Sequence, residues 1–538
     1  MSGADVDWFL TAAERDNPAT RIDAAYDGDR AWSCGNLAEP LIDGAAYFRA
    51  LYDAIEVAGA GDLILFTDWQ GNPGERLTDD PGSEVVEVLG RALARGADVR
   101  GLVWRSHTGL LGYSAEEHQE LGQLLQERGA DIQLDMRVRR GGAHHQKLAV
   151  IRYAGDPGRD VAFVGGIDLC HGRRDDARHL GDPQAEPLSE EYGERPPWHD
   201  VQLRLRGPVV RDVETVFRER WEDSTPLTRS PLRRLRDRAS DLDDERRPLP
   251  PQGPAPDPVT GHDHAVQLLR TYPRLGPGWS YDFAPDGERS VARGYTKALH
   301  RARSLVYLED QFLWGEQMSD VLAGALVEHP GLHFVAVLPL FPDQDGWFRR
   351  DPQVLGRMRA LRRLVATAPE RVAVYGLENR AGTPVYVHAK VCVLDDAWAT
   401  VGSDNFCRRS WTNDSELSAA VVDLGDGSYA RRLRLRLAAE HLDRLEGELP
   451  ADADLADLEA LMADCRTAAD LFARYAEHAA ALDAWHAGGR RGPRPPGRLR
   501  RIAPPALPLL RQAVAAPSYR LLHDPDGRPW RLRLRRRF

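Results

Sequence analysis

Cysteine is scarce, with Cys34, Cys170, Cys392, Cys407 and Cys465 scattered over 538 positions. An odd, dispersed set builds neither a disulfide framework nor a cysteine-ligated zinc site, so the thiols are expected to be reduced. Long apolar runs are lacking too. The stretch 335–341 falls far short of the roughly 20 residues a membrane helix needs, and MSGADVDWFLTAAERDNP at the start has neither the basic nor the apolar segment of a secretion signal. The expectation is a soluble, cytoplasmic protein, with peripheral contact at the inner membrane surface as its only membrane association. What is present is ordinary for a globular chain, 42% hydrophobic and 28% charged, which excludes mainly disordered, collagen-like and coiled-coil classes. The length is three to four times that of a typical domain, so two cores or two similar halves are expected.

The net charge of −11 is unevenly placed. Residues 490–538 hold 14 Arg against Asp524 and Asp526, a surplus of +12, so the rest of the chain carries −23. An acidic body argues against a dedicated nucleic-acid binder. The Arg-rich tail suits either an anionic membrane or the acidic body itself.

Between 224 and 261 the sequence turns to Pro, Arg and Asp, which reads as a linker. The segments on either side share an order of landmarks. Asp68 closes DLILFTDW and precedes His145-Gln146-Lys147 by 77 residues, while Glu309 in LVYLEDQFLW precedes His388-Ala389-Lys390 by 79. Each His-x-Lys leads to a strand ending in Gly165-Gly166 or Gly402-Ser403 and then to a further acid, Asp200 or Glu416. Helical patterns at 83–96 and 318–330 alternate with strand-like runs at 99–104 and 333–340. The predicted class is α/β, two similar halves about a pseudo-twofold axis, each a mixed sheet flanked by helices. The expected division is 1–224, a linker at 225–261, 262–450, and a helical extension with basic tail at 451–538. Within that extension the spacing predicts one helix over 455–482, with Asp454 as its N-cap.

In extended backbone alternate side chains share a face, so His145 projects with Lys147 and His388 with Lys390. Their apolar surroundings, LAVI and VCVL, imply burial, and buried His and Lys are costly without an anion or polar partners. Two such strands brought together make one pocket with two imidazoles and two ammonium groups. A phosphate suits that pocket. A lone His-x-Lys is more often structural, but two copies in register with matched flanks reverse that judgement.

At this point HHQKLAVI, FVGGIDLCHGRRD, PPWHDVQLRLRGP and FRERW, with VYLEDQFLW, VHAKVCVLD, VGSDNF and NDSEL, resemble the phospholipase D superfamily in its eukaryotic-type, phosphatidylcholine-hydrolysing branch. The resemblance runs from about residue 62 to 423, and no calcium- or phosphoinositide-binding module is read ahead of it. It implies that His145 attacks phosphorus to give a phosphohistidine and that His388 protonates the leaving alcohol, then activates water or a second alcohol. Lys147 and Lys390 would hold the phosphoryl oxygens. No metal or cofactor is expected. A nucleophilic imidazole needs its other nitrogen held by an acid, as in a triad, and the matching acids are Asp200 for His145 and Glu416 for His388. Asn405, Asp168, Gln311 and Glu309 are the candidate substrate-binding residues. The expected partners are a phospholipid and water or an alcohol acceptor, with the Arg-rich tail able to meet anionic membrane. The alternatives are a nuclease, a phosphatidyl-transferring synthase, or a catalytically dead lipid-binding scaffold.

One position departs from the family pattern His-x-Lys-x4-Asp. Asp395 fulfils it after His388, but Arg152 stands at that place after His145. Seven residues along an unbroken strand is the opposite face, so Arg152 is expected to be structural. His262-Asp263-His264 makes poor chelate geometry, His144 faces away from His145, and packing is the default role for Trp69, Trp198, Phe312, Trp314 and Trp411.

Overall fold

The computed structural model describes residues 6–106, 115–230, 246–445 and 455–538. The centre of the linker, 231–245, and the proposed cap Asp454 lie outside the described residues. The first half contributes β1 (Ser33–Ile42), β2 (Leu63–Asp68), β3 (Asp98–Trp104), β4 (Asp131–Asp135), β5 (Leu148–Arg152), β6 (Val161–Gly165), β7 (Trp198–His199) and β8 (Val201–Arg206). The second contributes β9 (His264–Tyr272), β10 (Glu288–Arg289), β11 (Leu305–Glu309), β12 (His333–Val337), β13 (Val372–Glu378), β14 (Pro384–Val387), β15 (Val391–Leu394), β16 (Trp398–Gly402) and β17 (Glu416–Asp423), with β18 (Leu499–Arg501) from the tail.

Two mixed sheets follow the same pairing order. In one, β4, β3 and β2 run parallel, and β5, β6, β8 and β1 continue antiparallel. In the other, β13, β12 and β11 run parallel, followed by β15, β16, β17 and β9. A bulged antiparallel pairing of β1 with β9 joins them. Strands such as LILFTD and VCVL are buried along their whole length because both faces are covered, hence their continuous apolar runs. Between the sheets lies a core that includes Leu148, Val150, Val391 and Val393, with the almost wholly buried helices Val209–Glu222 and Tyr429–His441. Helices Gly44–Glu56 and Val85–Ala94 cover the outer face of the first sheet, and Ser290–Arg301 and Glu316–Glu328 that of the second.

The helices expected at 83–96 and 318–330 form at Val85–Ala94 and Glu316–Glu328. The single helix expected over 455–482 does not form. It is broken into Leu455–Leu461, a short 3-10 turn at Ala463–Cys465, and Ala468–Ala487, because Thr467 and Asp470 build a capping box that starts a new helix.

Candidate functional site

Both His-x-Lys motifs lie just before their strands, β5 and β15, rather than inside them. Each is instead bound to backbone from the other half. His145 N donates to Ser415 O at 2.9 Å, and His388 N donates to His199 O at 2.8 Å. In the second case β14 runs parallel to β7, with Val387 opposite His199; in the first, His144 bridges Ser415. The residue after each of those carbonyls is the downstream acid.

The expected acid–histidine pairs are therefore exchanged. His145 Nδ1 lies 2.9 Å from Glu416 Oε2, and His388 Nδ1 lies 2.6 Å from Asp200 Oδ2. The physical reason is strand spacing. Within its own sheet β5 is separated from β8 by β6, which puts the two roughly 10 Å apart, beyond hydrogen-bond reach, whereas the bridges between halves place the partner half's acid alongside.

Burial, with Lys147 and Lys390 acting next, holds His145 well below the usual imidazole range. His388 is held low by burial, then by Lys390, Arg173 and Lys147, so charge from both motifs meets at each ring. Lys390 itself is pushed down to about 7 by burial, and Glu416 is pushed up to about 8 by burial. The pair at His145 nevertheless has a defined tautomer. Leu417 N donates to Ser403 Oγ, so the Ser403 hydroxyl hydrogen goes to Glu416 Oε2 at 2.5 Å. That oxygen is then a double acceptor, His145 Nδ1 is the donor, and Nε2 keeps its lone pair. At the matching place in the first half stands Gly166, where any side chain would collide with the Asp200 carboxylate. Asp200 Oδ1 instead accepts from Val201 N at 2.8 Å.

Of the candidate substrate-binding residues, Asp168 and Asn405 occupy corresponding positions after β6 and β16. Asp168 Oδ1 accepts from Trp69 N and Gln70 N and sits 3.4 Å from Lys147 Nζ. Asn405 is buried, and its Oδ1 has no hydrogen-bond partner among the described residues. Gln311 donates to the Tyr386 hydroxyl at 2.7 Å. Glu309 is corrected: both its oxygens are consumed away from the motifs, by His199 Nε2 at 2.8 Å and by His441 Nε2 at 2.7 Å. The register shows why. Glu309 opposes Val391 as Thr67 opposes Leu148, so the counterpart of Asp68 is Asp310, one residue later and on the other face. Asp310 accepts from Phe312 N, Leu313 N and Phe406 N, pinning the loop that carries Asn405.

Trp69 and Trp198 leave their default role. The Trp69 ring is 5.7 Å from that of His145, and the Trp198 ring is 4.9 Å from that of His388. Trp198 also carries a cation that sequence reasoning missed: the Arg173 guanidinium lies 3.9 Å from its ring centre, facing Asp168 and Asp200. Phe312 and Trp314 stack on each other, and Trp411 is buried against Tyr295. His144 is buried away from the site. Arg152 is bound by Asp160, Glu214 and Pro254 O, and Asp395 accepts from the backbone of Arg303, Ser304 and Leu305, so both tie strand ends together. Asp263 and His264 likewise accept backbone N–H groups, from Gly35 and Ala38.

The sequence offered no metal-ligand set, yet the fold brings together a group of side chains that could hold one ion. Asp43, His179, His199 and Glu440 place one donor atom each within 4.8 Å of one another. His179 Nδ1 is fixed by Trp198 O at 3.0 Å and His199 Nε2 by Glu309, which leaves His179 Nε2 and His199 Nδ1 turned toward Glu440 and Asp43. Two imidazoles held from behind and two carboxylates suit a divalent cation. Their scatter along the chain, from 43 to 440, left no local spacing to find.

Comparison with known proteins follows this geometry. The family model described as Phospholipase D matches residues 123–272, which include His145, Lys147, Asp168 and Asp200. Phospholipase D alpha 1 of Oryza sativa subsp. japonica is 25% identical over 70% of this chain and 61% of its own length. The protein of that name from Cynara cardunculus is 27% identical over 77% and 66%. The chain thus spans less than two thirds of the relatives it matches. Among solved structures, phosphatidylserine synthase of Haemophilus influenzae Rd KW20 aligns over 74% of this chain and 84% of that one, with 14% identity and a TM-score of 0.48. No helix among the described residues is long and apolar enough to cross a membrane.

Proposed function

Because the chain belongs to the phospholipase D superfamily, we propose that it cleaves phosphatidylcholine-like phospholipids to phosphatidate and passes the phosphatidyl group to alcohols through a phosphohistidine. The observation that carries the reading is the crossed arrangement, two imidazoles sharing the field of two lysines, each with Nδ1 held by an acid. His145 Nε2 attacks phosphorus, a P–N bond forms, and the P–O bond to the headgroup breaks. His388 Nε2–H gives its proton to the departing alkoxide. Water or an alcohol then yields a proton to His388 and attacks phosphorus, the P–N bond breaks, and His145 returns to its starting form.

The free site keeps His388 neutral, so it must gain its proton as substrate binds. An anionic phosphodiester supplies the reason, since it offsets Lys147, Lys390 and Arg173, the charges that keep the ring low. Lys390 sets a matching limit. The cation is needed on the phosphoryl oxygens, so kcat/KM is expected to fall as pH rises through about 7, where Lys390 loses its proton. Lys390→Arg keeps the charge and should remove that alkaline limb from whatever activity it retains; a pH profile with the limb in place would discount Lys390 as its source.

The direct test is to incubate the protein with a panel of phospholipids and ethanol. Phosphatidylethanol beside phosphatidate is the expected product. Hydrolysis without the ethanol adduct would remove the covalent intermediate, and cleavage of nucleic acid alone would replace the lipid reading.

A further inference from the structure

The tail behaves as two segments. Its first part is bound to the acidic body: Arg494 and Arg500 pair with Glu378, and Arg498 with Asp443. Residues 509–538 differ. This short stretch holds seven of the thirteen exposed large apolar side chains among the described residues, Leu509, Leu510, Val514, Leu521, Leu522, Trp530 and Leu534. Interleaved with them are Arg520, Arg531, Arg533, Arg535, Arg536 and Arg537, all exposed and without an ion pair among the described residues.

The backbone beneath these side chains is firmly held. Asp524 is buried and accepts from Arg409 N and the Tyr519 hydroxyl, both at 2.9 Å. Arg409 donates to Leu522 O at 2.6 Å, Arg139 donates to Gly527 O at 2.7 Å, and Gly527 N donates to Thr412 Oγ1. The segments so engaged, residues 139–141 and the short helix Arg408–Thr412 with residues 413–414, are those that lead into His145 and Glu416; Asp414 accepts from Ala143 N two residues before the imidazole. Helix Leu509–Ser518 packs on helix Trp347–Thr367 through Arg511–Asp351, and that helix begins with exposed Trp347 and Phe348. The backbone that carries the apolar surface is therefore tied to the segments that lead into the site.

We propose that residues 509–538, with Trp347 and Phe348, form a docking face that seats the protein on an anionic lipid surface beside the active site. The proposal rests on the lipid reading above for why such a surface is met. Leucines with one Trp, surrounded by Arg, match an interface that takes aliphatic groups to the acyl boundary and leaves guanidinium groups among anionic headgroups. A second copy presenting the same face would oppose six unpaired Arg with six more, so the charge favours lipid over self-association.

The test uses the full chain and sedimentation with vesicles of phosphatidylcholine alone or with a minority of phosphatidylserine. Tighter binding to the phosphatidylserine vesicles is expected, weakening with salt. Leu521→Ser/Leu522→Ser/Trp530→Ser should lower affinity about tenfold or more while keeping the salt dependence, and Arg531→Gln/Arg533→Gln/Arg535→Gln/Arg536→Gln should abolish the preference for phosphatidylserine. Both variants should turn over a soluble phosphodiester as the parent does, which also reports their folding. Parent-like vesicle affinity in the apolar variant would overturn the proposal, as would a parent oligomer, seen by light scattering, that the variant dissolves. Vesicle binding needs no turnover, so a protein that binds but cleaves no lipid refutes the phospholipase reading and leaves the docking face standing.

Discussion

Asp200→Asn is expected to cut turnover by about 10³- to 10⁴-fold and to accumulate a phosphoenzyme on His145, although Asp200 lies in the same half as His145. Val201 N keeps the Asn carbonyl at the Oδ1 position, so the amide NH₂ faces His388 Nδ1. That forces the other tautomer, with hydrogen on Nε2. A ring of that form has no lone pair at Nε2 to take a proton from water and could give up its one proton only by becoming imidazolate. A substrate whose leaving group needs no proton, a nitrophenyl phosphodiester, therefore still loads His145 while the second step stalls. Glu416→Ala should cost as much and leave no phosphoenzyme, because it is the nucleophile that loses its support. Glu416→Gln should be the milder change, since Ser403 directs the Gln carbonyl to accept where Oε2 did and preserves the His145 tautomer. Acid-quenched labelling with a substrate carrying radioactive phosphorus separates the three. Label trapped in Glu416→Ala but not in Asp200→Asn would mean that the acids act within their own halves.

Why the sequence supports the wrong pairing is visible in particular residues. The repeat of landmarks was legible because each half builds the same strand order, and His145, Lys147, His388 and Lys390 come together as their spacing suggested. Order along a chain says nothing about which half's loop an acid will lean on, and the two parallel bridges at Ser415 and His199 decide that. Glu309 failed for a smaller reason. A slip of one residue in matching 77 against 79 moved the landmark to the opposite face of β11, where Asp310 was the true counterpart. A further signal was present and unused: the chain contains only three lysines, Lys147, Lys297 and Lys390, among dozens of Arg. Arg stays charged when buried, whereas Lys390 is brought to about 7, so Lys rather than Arg at position 390 has a chemical reason.

The cluster behind His388 should respond most strongly in stability. Glu309→Ala removes the acceptor of both His199 and His441, all three fully buried, and breaking a buried charged pair in this way costs about 3–5 kcal/mol. A lowered thermal midpoint in Glu309→Ala is the expected result, and an unchanged midpoint would mean the network is not charged. The pH dependence follows from direction. Burial opposes a charge on His199, but Glu309 and Asp43 outweigh it and hold its folded pKa well above the usual imidazole range. Its contribution is therefore full below about 6.5 and is lost as pH rises through the raised folded value. A divalent cation at Asp43, His179, His199 and Glu440 would reverse that trend, because it needs both imidazoles unprotonated and binds more tightly as pH rises. Thermal melts in calcium, magnesium, zinc or chelator across neutral to alkaline pH therefore carry the decision. A midpoint that climbs with pH only when a cation is present, and no longer does so in Asp43→Ala, is expected of a metal centre; identical melts in cation and chelator would make the cluster a proton-held network that braces the backbone beneath His388.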